Sequence, residues 1–463
     1  MISHRARFSW LILSALVAAC SGASSDADDK EEPEDPGTDN EAGQSGSAQP
    51  GGNGGERAPN NAGGFSGTGG STAGASGAAG TAGATTGAAG SGPGQVIEGP
   101  GLGMPPTLAP NASNPIKNIP NAERVLPGWS TSHVEHLGWQ PPNHLYVSAI
   151  QGAYPTKVAG SDSAFPYIHP FRVWQLTESN DKSIITEYFR FPTASEIEET
   201  AWCKWGKAAN AFWCYSHQQK TNKFVLRIPS PGLSAGPFEL KDLSNVTKWS
   251  VSSLHSRMLD SVELASGRVY WTHKAGTNPS ISRIFTSEPN ATAAQAFTEV
   301  LAGVTGMEDP LGLAASPDGK TLYFTVAGFA TGKGSLWSAE IQSSGQLAAP
   351  KLLVADIVKP RRLACDEFGN LYVTSGSEVR VFASNGAEFG RIAIVNDPAS
   401  KDAVEKAKGK ITLLAVAFGG TTGSILYASL GTDLGFTTLK GASVSFGALF
   451  RVPVAARGAD FAR

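Results

Sequence analysis

Six times between residues 136 and 428 the chain repeats one short pattern: an apolar run, a turn built on Gly, Asp or Asn, and a second run carrying a large aromatic. The copies are His136-Leu137-Gly138-Trp139 with Asn143 to Ser148, Thr200 to Cys203 with Phe212 to Tyr215, and Leu259 to Val262 with Gly267 to Thr272. They continue with Leu313 to Phe324, Leu363 to Val373, and Val416 to Gly420 with Ile425 to Ala428. The aromatics Tyr146, Trp213, Tyr270, Tyr323, Tyr372 and Tyr427 stand 67, 57, 53, 49 and 55 residues apart. Each interval holds four short strands, the content of one propeller blade, and a recurring period of this size marks a chain built from stacked copies of one unit. Each hairpin is followed by a third-strand candidate: Phe171 to Trp174, Phe224 to Arg227, Ser282 to Phe285, Ser335 to Ser338, Val379 to Phe382 and Ala448 to Arg451. The pattern predicts an all-β fold, a six-bladed β-propeller over residues 121–463. No long stretch keeps a helical apolar period; Ala403 to Lys408 is the best helical candidate.

The first part of the chain has a different composition. Residues 26–41 carry nine acidic residues against Lys30, which reads as a solvated, self-repelling tether. From Gly51 to Gly94, 17 of 44 residues are glycine and most others are Ala, Ser, Thr or Asn. Such a segment buries too little apolar surface to offset its conformational entropy, so residues 20–120 are expected to form a disordered linker, the last part an extended Pro- and Asn-rich lead-in. Its reach is about 50 Å on random-coil scaling.

Ahead of the linker, His4, Arg5 and Arg7 precede the apolar run Phe8 to Val17. The run falls short of the roughly 20 apolar residues that span a bilayer and fits the core of a cleaved export signal, residues 1–19. It ends in Val17-Ala18-Ala19-Cys20, which resembles a bacterial lipobox. The resemblance implies cleavage before Cys20, a lipid such as palmitate on that residue and a membrane anchor without a membrane span. Ser21 after the cysteine implies sorting to the outer membrane of the bacterial cell envelope.

Ser316-Pro317-Asp318-Gly319-Lys320-Thr321-Leu322-Tyr323, Cys365-Asp366-Glu367-Phe368-Gly369-Asn370-Leu371-Tyr372 and Ala417-Phe418-Gly419-Gly420 resemble the senescence-marker-protein/gluconolactonase/luciferin-regenerating-enzyme family over roughly residues 123–455. That family's enzymes are metal-dependent lactonases or esterases with a divalent cation in the central channel. The likeness implies three central-channel positions: Glu135 for the family's Glu, Leu311 for its Asn and Arg361 for its Asp. Leu offers no oxygen, and Arg offers only donors and a fixed positive charge, whereas calcium takes about 6–8 oxygen ligands. No metal and no other cofactor is therefore expected, and no catalytic residue is assigned; the Arg361 guanidinium is expected to stand where the metal stood and to pair with Glu135. A register slip would bring Asp260, Glu308 or Asp309 into play. In that alternative the chain is a divergent lactonase or esterase that binds calcium or another divalent cation.

The remaining candidates are structural. A hairpin centred between Ala208 and Ala209 sets Cys203 opposite Cys214, and an exported protein permits the disulfide. Cys365 reads as a buried strand thiol, and His133, His136 and His144 lack metal-ligand spacing. Nucleophile-elbow, Walker and dinucleotide motifs are missing. A net charge of −3 excludes a nucleic-acid binder and fits a protein or saccharide ligand. The expectation is a lipid-anchored envelope propeller that binds or scaffolds and does not catalyse, with a degenerate gluconolactonase-like site.

Overall fold

A computed structural model describes residues 96–100 and most of 108–462. The chain divides into two units, Met1–Ala82 and Gly83–Arg463, and every described residue belongs to the second. The export signal, Cys20, the acidic and glycine-rich stretches to residue 95, and the helical candidate Ala403 to Lys408 lie outside the described residues.

Two strands precede the repeats, β1 (Val96–Pro100) and β2 (Glu123–Val125). Blade one is β3 (His133–Gln140), β4 (His144–Ile150), β5 (Phe171–Glu178) and β6 (Lys182–Arg190). Blade two is β7 (Trp202–Gly206), β8 (Ala211–Gln218), β9 (Asn222–Pro229) and, after the short β10 (Phe238–Glu239), β11 (Thr247–Val251). Blade three runs through β12 (Arg257–Glu263), β13 (Val269–Lys274), β14 (Arg283–Ser287) and β15 (Thr298–Ala302). Blade four is β16 (Asp309–Ala315), β17 (Thr321–Ala327), β18 (Lys333–Glu340) and β19 (Lys351–Val358). Blade five is β20 (Pro360–Cys365), β21 (Leu371–Ser375), β22 (Glu378–Phe382) and β23 (Glu388–Ala393). Blade six is β24 (Ile411–Gly419), β25 (Ile425–Thr432) and β26 (Ala448–Pro453).

Each blade is an antiparallel meander, and β2 supplies the fourth strand of blade six by pairing with β26. The first strand of every blade is innermost: β3 packs on β7, β7 on β12, β12 on β16, β16 on β20, β20 on β24 and β24 on β3. The ring is therefore closed, with a strand from the front of the unit sealing the last blade. All six repeated aromatics fall on second strands, and all six third-strand candidates fall on third strands. Rings fill the space between blades: Trp174, Trp202, Trp271, Tyr270, Tyr372 and Tyr427 are fully buried.

The inner hairpin turns need a left-handed residue. Gly319 (φ 68°) and Gly369 (φ 84°) provide it in blades four and five, and Asn210 (φ 45°) takes the same role in blade two. That turn, Lys207 to Asn210, puts Cys203 opposite Cys214, and the two are joined by a disulfide. Cys365 is a buried free thiol.

One boundary differs from the expectation. Composition places the ordered unit after residue 120, yet Val96–Pro100 pairs antiparallel with β6 in blade one. Ile116 and Ile119 pack against the core between blades five and six, and the Asn111 amide donates to the Ala455 carbonyl. A few apolar residues in a polar lead-in suffice, because the blade edges offer unpaired backbone groups and apolar rims already in place.

Candidate functional site

Five of the six inner strands carry the same irregularity. The register of β3 shifts between Val134 and His136, that of β12 between Met258 and Asp260, of β16 between Pro310 and Leu313, of β20 between Pro360 and Leu363, and of β24 between Leu413 and Ala415. Each shift inserts one extra residue, a β-bulge, which re-aims side chains and frees a backbone amide from the ladder. Hydroxyls take up the freed groups. In blades four, five and six they come from the position two beyond the repeated aromatic, Thr325, Thr374 and Ser429, and blades one and three carry Ser148 and Thr272 at the same position. Thr374 Oγ1 accepts from the amides of both Arg361 (3.1 Å) and Arg362 (3.0 Å), Thr325 Oγ1 from Gly312 (2.9 Å), and Ser429 Oγ from Ala415 (3.0 Å). Several of these hydroxyls also donate to the next blade: Ser148 to the Cys203 carbonyl (2.6 Å), Thr272 to that of Leu311 (3.1 Å), Thr325 to that of Arg361, and Ser429 to that of Val134 (2.9 Å).

The residues beside these bulges meet at the hub. Asp260 of blade three is 1 % exposed. Its Oδ1 lies 3.2 Å from Lys204 Nζ of blade two and 3.6 Å from His136 Nδ1 of blade one. Its Oδ2 accepts from the Leu313 amide of blade four (2.9 Å) and lies 3.9 Å from Arg362 Nε of blade five. The Ser261 amide donates to Oδ1 at 2.8 Å. Arg362 extends the cluster: Nη1 donates to the Leu311 carbonyl (2.7 Å) and Nη2 lies 2.9 Å from His136 Nε2. The His136 ring stacks on Trp202, with centroids 4.4 Å apart. Five blades thus converge on one carboxylate. Burial pushes the Asp260 carboxyl up, but Lys204 and Arg362, with the His136 hydrogen bond, outweigh it and hold the group well below the ordinary carboxylate range.

The three central-channel positions inferred from the sequence are the bulge residues of their strands. Glu135 is the extra residue of β3, and its side chain lies outside the described residues, as does that of His133. Leu311 is buried and contributes its carbonyl to Arg362 and Thr272. Arg361 lines a separate shallow pocket with Lys359 and Pro360, and Arg362, the next residue, is the one on Asp260. The bulge between Pro360 and Leu363 reverses the side-chain parity that an unbroken strand would give. Of the alternative ligands, Asp309 is buried at the start of β16 and Glu308 lies outside the described residues. Lys204 has a sequence signal, a lone charged residue within an otherwise apolar inner strand, whereas Arg362 and His136 stand beside other ionisable residues, Arg361 and Glu135, and have none. His144 sits apart, its Nδ1 3.1 Å from Thr177 Oγ1 and its pKa lowered by burial.

The described hub residues do not fit a divalent cation. Both oxygens of Asp260 are already taken by amides and cations, and a dication there would face an ammonium and a guanidinium. No group of three or more His, Cys, Asp or Glu residues suited to a metal occurs among the described residues.

Beyond the hub, toward the inner hairpin turns, the channel holds a cavity open to solvent. Inner strands of all six blades line it, and Lys204 belongs to both cavity and hub. The single-turn helix α1 (Ala459–Ala462) stands at the mouth, where Phe461 lies 6.0 Å from the Trp139 ring and Lys207 Nζ donates to the Asp460 carbonyl (3.0 Å).

No family model matches the chain, and no curated protein matches it in sequence. Among solved structures it is similar to a luciferin-regenerating enzyme (14 % identity, TM-score 0.46, covering 72 % of this chain and 95 % of that one). It is also similar to a putative gluconolactonase (16 %, 0.45, 77 % and 98 %) and to a calcium-binding protein, regucalcin, from Agrobacterium tumefaciens str. C58 (14 %, 0.44, 73 % and 96 %). The chain's own architecture stands on its six sheets: it is a six-bladed β-propeller.

Proposed function

We propose that this chain is a lipid-anchored propeller of the bacterial cell envelope, held at the outer membrane through Cys20, which binds a protein or saccharide ligand without catalysing a reaction. One observation carries the non-catalytic part. Where a metal-dependent hydrolase needs an open oxygen cage, Asp260 is closed in by Lys204, His136, Arg362 and two backbone amides. A hub of this composition neither concentrates a cation nor polarises a carbonyl through one. The anchor rests on the Val17-Ala18-Ala19-Cys20 motif.

Calorimetric titration of the purified protein with calcium, beside a lactone hydrolysis assay, tests the hub. No heat of binding and no hydrolysis are expected. Calcium uptake with lactone hydrolysis, both lost on Glu135→Gln, would replace this reading with the metal-dependent lactonase. Labelled palmitate incorporated by the wild type and not by Cys20→Ala tests the anchor; equal labelling of both refutes it.

A further inference from the structure

We infer that the cavity at the hairpin-turn end of the channel is a binding site for a small carboxylate carried on an apolar ring, with Lys204 as its anchor. This goes beyond the binding reading above and concerns a different part of the channel from the bulged hub. Two observations meet here. The first is Lys204 itself: it lines the cavity, its side chain is 24 % exposed, and its acceptor among the described residues is Asp260 Oδ1. An ammonium has three donor hydrogens, so two stay uncommitted. The nearby carboxylate of Glu263 does not supply them, since Oε1 accepts from Trp213 Nε1 (2.9 Å) and Oε2 from the amides of Ala208 (2.7 Å) and Ala209 (3.2 Å).

The second is the wall. Trp139, Trp205, Trp213 and Phe418 supply flat rings, while Ala364 and Ala417 leave space between them. A cavity that sets an ammonium with donor hydrogens to spare beside flat aromatic rings matches a ring bearing a carboxylate. A neutral apolar ligand would leave two of the ammonium hydrogens without an acceptor, and a short-chain carboxylate would leave the rings uncovered.

The test is calorimetric titration of the purified full chain with benzoate and cyclohexanecarboxylate, with acetate and benzyl alcohol as controls for the missing ring and the missing charge. Both ring carboxylates are expected to bind, and both controls to bind about tenfold more weakly or not at all. Lys204→Arg keeps the charge and should retain binding; Lys204→Met should weaken it about tenfold. Because Lys204→Met also strips Asp260 of a partner, Ala417→Leu gives a second arm that fills the cavity and leaves the ion cluster intact. Checked as folded by circular dichroism, it should lose binding too. The inference is overturned if the wild type binds neither ring carboxylate, if benzyl alcohol binds as well as benzoate, or if folded Ala417→Leu binds undiminished. None of these outcomes bears on calcium or lactone hydrolysis, so this site and the non-catalytic hub fail separately.

Discussion

Two of the places where the described residues bury charge, the seam and the hub, are built oppositely. At the seam between blades six and one, Arg451 donates to Glu178 and Ser183 on one side and to Glu123 of the closing strand on the other. The Tyr427 hydroxyl and Ser183 (2.9 Å) also donate to Glu178. There one cation answers two carboxylates, and the contacts join neighbouring elements only. At the hub one carboxylate answers an ammonium, a guanidinium and an imidazole drawn from across the ring, and one of those cations opens on a cavity. The difference separates two uses of buried charge. The seam is saturated and holds the ring shut. At the hub the Lys204 ammonium keeps donor hydrogens beside the cavity, where a ligand of the proposed kind would meet them.

The largest effect expected follows from the seam. Arg451→Met leaves Glu178, about 2 % exposed, with no cationic partner among the described residues. Breaking a buried pair from one side costs about 3–5 kcal/mol, which should appear as a large drop in the urea midpoint. A small drop would mean that the seam charge is exchangeable and the comparison with the hub fails. The second effect is at the hub. Asp260→Asn removes the negative charge and turns one acceptor oxygen into a donor but leaves Lys204 and Arg362, both partly in contact with solvent, so a loss of about 2–3 kcal/mol is expected near neutrality. The pH dependence has a definite sign. A carboxyl whose pKa is depressed by folding stabilises the fold above its unfolded pKa, about 4, and that contribution drains away as pH falls further. The gap between wild type and Asp260→Asn should therefore be constant from neutrality to about pH 5 and narrow below about pH 4. A gap that widens on acidification would refute the assigned charge state.

How far these regions were readable in the sequence differs in the same way. Blade number, the second-strand aromatics and the third strands follow from periodicity and turn residues, which are local signals. The Cys203–Cys214 pairing follows from the Lys207–Asn210 turn for the same reason. The hub does not, because its residues are brought together by bulges. One inserted residue inverts which side chains face the axis, so Arg361 and Arg362 exchange roles without any change in the local sequence pattern. The signal that survives is the pairing of an aromatic with Ser or Thr two residues later, as in Tyr323-Phe324-Thr325 and Tyr372-Val373-Thr374, since a bulge needs that hydroxyl to satisfy its spare amide. The seam was hidden for another reason: Glu123, Glu178 and Arg451 lie 55 and 273 residues apart and meet only because the ring closes.

Those hydroxyls occur at both places and give a third, smaller effect. Thr325→Val strands the Gly312 amide and the Arg361 carbonyl near the hub, and Ser429→Ala strands the Ala415 amide and the Val134 carbonyl beside the seam. Each should cost about 1–2 kcal/mol by urea unfolding, because unsatisfied buried backbone groups are penalised alike wherever they lie. Equal losses would assign the difference between the regions to their charges. A much larger loss at one of them would place it in the bulge geometry instead.

The smallest effect tests whether the seam is one unit or a buried pair with an exposed appendage. Glu123 pairs with Arg451 at 3.1 Å, but its side chain is 53 % exposed, whereas that of Glu178 is 1 % exposed. Exposed pairs contribute about 0–1 kcal/mol and are screened by salt, so Glu123→Gln should lower stability by no more than that, and added salt should erase the difference from wild type. Strand β2 keeps its ladder with β26 in the variant, and Arg451 keeps Glu178, so ring closure itself should be unaffected. A salt-independent loss comparable to that of Arg451→Met would show that the closing strand is held by its charge more than by its backbone pairing. The seam would then depend, as the hub does, on a contact that solvent can reach.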